Sequence, residues 1–130
     1  MIDYGIRIVT RHPFEAAMER TKASLAAEGF GVLTEIDMQA KLKEKLGVDV
    51  ARYTILGACN PPLAYKALQA EQEIGLLLPC NVIVYERGEE TVVSAVDPNA
   101  MLGVIENNPA VAAVAREARA ALERAIRSIQ

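Results

Sequence analysis

Tryptophan is absent from this chain, and phenylalanine occurs only twice in 130 residues. The apolar half of the composition is therefore aliphatic, which suits helices laid on a sheet and argues against disorder. Charge of one sign is also missing: the formal balance is −3, with no long run of like residues. That excludes a basic nucleic-acid footprint and a polybasic anchor, so neither nucleic acid nor membrane is expected as a partner. The longest apolar stretch, residues 75–85, falls far short of the ~20 residues a membrane helix needs. Met1-Ile2-Asp3-Tyr4 does not open an export signal. Two cysteines without such a signal point to a reducing compartment, so the expected location is cytoplasmic, with both thiols free.

The common catalytic signatures are missing as well. There is no glycine-rich phosphate loop, no serine nucleophile elbow and no paired-histidine zinc motif. Gly29 and Gly31 flank Phe30 after a helix, the wrong context for a dinucleotide fingerprint. Two cysteines and one distant histidine do not supply the four ligands of a structural zinc site. The sequence specifies no cofactor. Its length fits one domain, 1–130, large enough to bury a core without staples.

What is present is periodic. Ile6-Arg7-Ile8-Val9 alternates as a short first strand. Phe14, Ala17, Met18, Thr21 and Leu25 then recur at helical spacing, and Gly29 is a stop. Residues 31–36 form a second strand, expected to place Val32 and Ile36 on one face. Asp37 caps a short helix carrying Met38, Leu42 and Leu46. Residues 53–58 form a third strand, and Asn60-Pro61 opens a helix with Leu63, Ala64, Ala67 and Leu68 as its packing stripe. Residues 75–85 read as the most apolar strand, interrupted at Pro79, which implies a bulge or lost pairing beside Cys80. A hairpin turn at 87–90 returns the chain as a strand over 91–96. Asp97-Pro98 starts a helical turn in which Met101 fills the core. Asn108-Pro109 starts an alanine-rich last helix with Val111, Val114, Ala118, Leu122, Ile126 and Ile129 on one face.

Both cysteines precede an asparagine at the end of an apolar run: Cys59-Asn60 and Cys80-Asn81. Cys59 sits where a helix begins, and unpaired N–H groups at a helix start favour a thiolate. A free cysteine is equally at home as a small buried apolar residue. Asn81, one residue after Cys80 in a strand, points to the opposite face. The strand–helix–strand connection through 62–72 predicts that the third and fourth strands run the same way, which makes a disulfide between the cysteines unfavourable. His12, the lone histidine, lies in the loop before Pro13, either an exposed residue or a proton carrier.

The phrases Glu-Gly-Phe-Gly-Val-Leu-Thr-Glu-Ile-Asp (28–37), Ile-Leu-Gly-Ala-Cys-Asn-Pro-Pro-Leu-Ala (55–64), Leu-Leu-Pro-Cys-Asn-Val (77–82) and Asp-Pro-x-x-Met (97–101) resemble the bacterial domain-of-unknown-function family 302. The resemblance implies an α+β fold, an antiparallel-rich sheet of about five strands with helices packed mainly on one face, and a homodimer. It implies no activity. Three functions follow as expectations. One is a pocket for a small ligand or soft metal, with thiols from Cys59 and Cys80 and secondary contacts from Asn60, Asn81 and His12. Another is a homodimeric interaction module, formed through the apolar sheet face or the last helix, whose cysteines only pack. The third is a redox or transfer enzyme using Cys59 as nucleophile.

Overall fold

A computed structural model describes residues 3–130. The elements run β1 (Gly5–Thr10), α1 (Phe14–Ala27), β2 (Gly31–Asp37), α2 (Met38–Leu46), β3 (Tyr53–Cys59), α3 (Pro61–Ala70), a 3₁₀ helix (Gln72–Leu77), β4 (Cys80–Arg87), β5 (Glu90–Val96), α4 (Pro98–Leu102) and α5 (Pro109–Arg127). The strands form one sheet in the order β1-β5-β4-β3-β2, and every neighbouring pair is antiparallel. The architecture is α+β.

Sequence patterning explains most of these elements. Helix α1 buries Phe14, Ala17, Met18, Thr21 and Leu25, and ends where Gly29 takes a φ of 84° that other residues resist. Asp37, Asn60, Asp97 and Asn108 each cap the helix that follows, their side-chain oxygens accepting from backbone N–H groups of the first turn. The stripe of α5 buries as its spacing predicts, and Ile129 just beyond it is buried too.

Four local expectations are corrected. β3 and β4 run antiparallel, with Ala58 opposite Cys80. The segment between them leaves the sheet as α3, folds back as the 3₁₀ helix and re-enters at the end it left, so no crossover to the far end occurs. Residues 75–77 belong to that 3₁₀ helix, which the Glu71 side chain caps, and β4 begins only at Cys80, after a cis Leu78–Pro79 bond. Val32 and Ile36 lie on opposite faces, because a bulge between Val32 and Thr34 leaves Leu33 without a partner and shifts the register. Finally, α2 buries no residue, and Leu46 is 69% exposed.

Two apolar cores result. The first joins the inner face of the sheet to α1 and the C-terminal half of α5, through residues such as Leu25, Leu56, Val82, Leu122 and Ile126. The second lies beyond one end of the sheet and contains no strand residue: Leu63, Ala67, Ile74, Leu102, Val111, Val114, Ala115 and Ala118 come from α3, the 3₁₀ helix, α4 and the N-terminal half of α5. Helix α5 therefore serves both cores in turn. Arg119, midway along it, is held by Asp97 at 3.2 Å and Glu123 at 3.0 Å.

The helices are also joined end to end. Asn60 caps α3 by accepting from the Leu63 N–H, and its Nδ2 donates to the Glu28 carbonyl at the end of α1, 3.4 Å away. Asn108 repeats the device, accepting from the Val111 N–H and donating to the Ala70 carbonyl at the end of α3, at 3.0 Å.

Candidate functional site

A hollow of about 280 Å³ opens at the seam between the two cores. Phe30, Ala58 and Cys80 line it from the sheet side; Leu63, Ala67, Leu102, Val114 and Ala118 line it from the helical side. No lining residue carries a charge. The space exists because the facing helices meet through alanines: Ala64 and Ala67 on α3 and Ala118 on α5 leave volume that a longer aliphatic chain would fill. At the mouth stand Leu33 and Leu68, 67% and 42% exposed. The bulge in β2 is what frees Leu33 from the ladder.

The two cysteines differ in environment. Both are free, and both residues border the hollow. Cys80 shares the inner face of the sheet with Ala58, its partner across the ladder, and is buried. Burial, and secondarily the neighbouring Cys59, push its thiol up to about 11, so it is a protonated, polarisable wall at neutral pH. Cys59 is half-buried and follows Ala58 in β3, so strand alternation turns it away from the face that Ala58 and Cys80 share.

The start of α3 offers a sulfur no hydrogen bond. Pro61 and Pro62 have no N–H, the Leu63 N–H donates to Asn60 Oδ1 at 3.3 Å, and the Ala64 N–H donates to the Asn60 carbonyl at 2.9 Å. Every donor of the first turn is used or missing. Asn60 itself borders the hollow, with its carboxamide engaged at both ends.

The other two sequence candidates lie elsewhere. Asn81 is exposed on the opposite face of the sheet, beside Tyr53, Tyr85 and Ser94. His12 follows β1 at the far end of the sheet, where its carbonyl accepts from the Thr91 hydroxyl at 2.9 Å. The structure thus brings together Cys59, Asn60 and Cys80, and adds Leu33, Phe30, Leu102, Val114 and Ala118, which sequence reading missed as lining. The alanine content of α5 was the available signal for close helix approach; nothing in the sequence marks the bulge at Leu33. Among the described residues, no group of three or more His, Cys, Asp or Glu side chains gathers to hold a metal. None of their buried side-chain polar atoms lacks a hydrogen-bond partner. No helix among them is long and apolar enough to cross a membrane.

The comparisons agree with this fold. The family described as "Domain of unknown function DUF302" matches residues 6–129. A crystal structure of an uncharacterized conserved DUF302 protein from Bacillus stearothermophilus superposes with a TM-score of 0.91 at 28% identity, covering 99% of this chain and 100% of that one. No curated protein matches the sequence.

Proposed function

Because the chain belongs to the DUF302 family, whose description assigns no activity, we propose a function from the hollow itself: the domain binds a small apolar molecule between the sheet end and helices α3 and α5. The observation that carries this reading is a cavity of about 280 Å³ without a charged side chain in its wall, near the lower end of the volumes that hold small ligands. Cys80 supplies a soft, neutral contact inside it, and Cys59 the thiol nearest solvent. Two thiols at one hollow would also suit a soft cation, but among the described residues no third His, Cys, Asp or Glu side chain gathers with them to complete its ligand set. The organic ligand is therefore preferred, and a cytoplasmic setting would keep both thiols reduced.

The test is uptake of phenylnaphthylamine, a neutral fluorophore that brightens in apolar surroundings. Wild-type protein is expected to bind it saturably at one site, and Ala67→Phe, which fills the hollow, to bind it at least tenfold more weakly. Native mass spectrometry of protein purified without chelators distinguishes the cation. A wild type that neither brightens the fluorophore nor retains any mass overturns the reading.

The same reading includes a homodimer formed through the open sheet face. Register places Ile36, Ile55 and Ile83 with Tyr53 and Tyr85 on that face, and the two tyrosine rings stack at 5.2 Å. The last helix, the alternative surface, already spends its apolar stripe in the two cores. Ile83→Lys is expected to convert a light-scattering dimer to a monomer of unchanged circular dichroism; a monomeric wild type at 100-fold higher concentration than the assay needs would refute the dimer.

A further inference from the structure

The mouth of the hollow says more about its ligand than the interior does. Resting on the reading of the hollow as a binding site, we infer that its ligand class is a single alkyl chain bearing a polar head group, with the tail inside and the head in solvent. Three observations carry this. The wall holds no charged group, so nothing within it would compensate a buried head group. No buried polar side chain among the described residues is left without a partner, so the interior offers no unmet hydrogen bond for a polar ligand to satisfy.

The third observation is the continuation of apolar surface beyond the opening. Leu33 and Leu68 line the hollow and yet remain 67% and 42% exposed. A lone exposed leucine needs no explanation. Two that border one opening, one of them released by a bulge, form a track leading out of it. A compact ligand seated among the inner side chains would leave much of both wet. A chain longer than the interior covers them. Taking for a methylene the ~30 Å³ that a water occupies in the liquid, a chain of about ten carbons fills the hollow, its leucine-lined mouth included, and a longer one runs out over their exposed faces.

The experiment is displacement of phenylnaphthylamine by alkylphosphocholines of eight to sixteen carbons, each below its micelle-forming concentration. In the wild type, affinity is expected to rise by up to about fourfold per added methylene. The rise should continue, more shallowly, past ten carbons. The Leu33→Ser/Leu68→Ser variant should lose more affinity for the sixteen-carbon chain than for the eight-carbon one, so that its rise with chain length flattens where that of the wild type continues. Fluorophore binding with affinity that stops rising by ten carbons in the wild type overturns the alkyl-chain inference and leaves a compact ligand. Failure of the fluorophore and every chain to bind overturns the binding-site reading beneath it.

Discussion

The two apolar cores are built differently although one helix runs through both. Around Leu122 and Ile126, α5 meets the sheet and α1 through large side chains that are fully buried. Around Val114 and Ala118 it meets α3 and α4 through smaller ones, and a hollow remains. Composition along a single helix thus separates a part that holds the fold from a part that can receive something. An interior packed to crystal-like density cannot take a guest without strain, whereas a seam of alanines can.

Substitutions should sharpen that contrast. Leu122→Ala, in the tight core, is expected to cost about 2–5 kcal/mol in urea unfolding. A loss under 1 kcal/mol would mean the sheet-side core is not the stabilising one. Next in size is a pH effect confined to the seam. The Cys80 thiol is raised from 9.0 to about 11 in the folded chain, so the folded state holds its proton over a range where the unfolded state has lost it. Its contribution is fully present below pH 9 and lost as pH rises through 11, on the order of 3 kcal/mol in total. Wild type minus Cys80→Ala, followed by denaturant titration from pH 8 to 11, isolates it; parallel curves would remove the effect.

Asn60→Ala is expected to cost about 1–2 kcal/mol, because it removes a cap and also frees the Glu28 carbonyl. The smallest stability change is predicted for Ala118→Leu, within about 1 kcal/mol of wild type, since the added carbons enter existing space. Phenylnaphthylamine uptake should nonetheless fall at least tenfold. A large destabilisation with uptake retained would show that Ala118 belongs to the tight core instead.

Much of this contrast was written in periodicity. The stripe from Val111 to Ile129 predicts which side of α5 is buried, and the asparagine–proline and aspartate–proline pairs predict where α3, α4 and α5 begin. Periodicity does not report where a chain turns back. Residues 75–77 are as apolar as a central strand, yet they end a 3₁₀ helix that packs through Ile74 and Leu77 and leaves Leu76 exposed, and the chain then re-enters the sheet with β4 opposite to the expected direction. The bulge at Leu33 is invisible for a related reason: Val32 and Ile36 suit either face, and only the pairing with Ala58 and Ile55 decides. For the site, Cys59, Asn60 and Cys80 were found because they end apolar runs. The alanine-lined space between them and α5 was not, because it depends on two segments about fifty residues apart meeting.

The twin asparagines set how α3 can move. Asn60 fastens one end of that helix to α1 and Asn108 fastens the other end to α5. A rod pinned at both ends cannot slide along its axis or swing out like a door without breaking a pin, but it can roll. Rolling, however, would pull the buried Leu63 and Ala67 out of the second core, so the two fastenings and that stripe together fix where the helix lies.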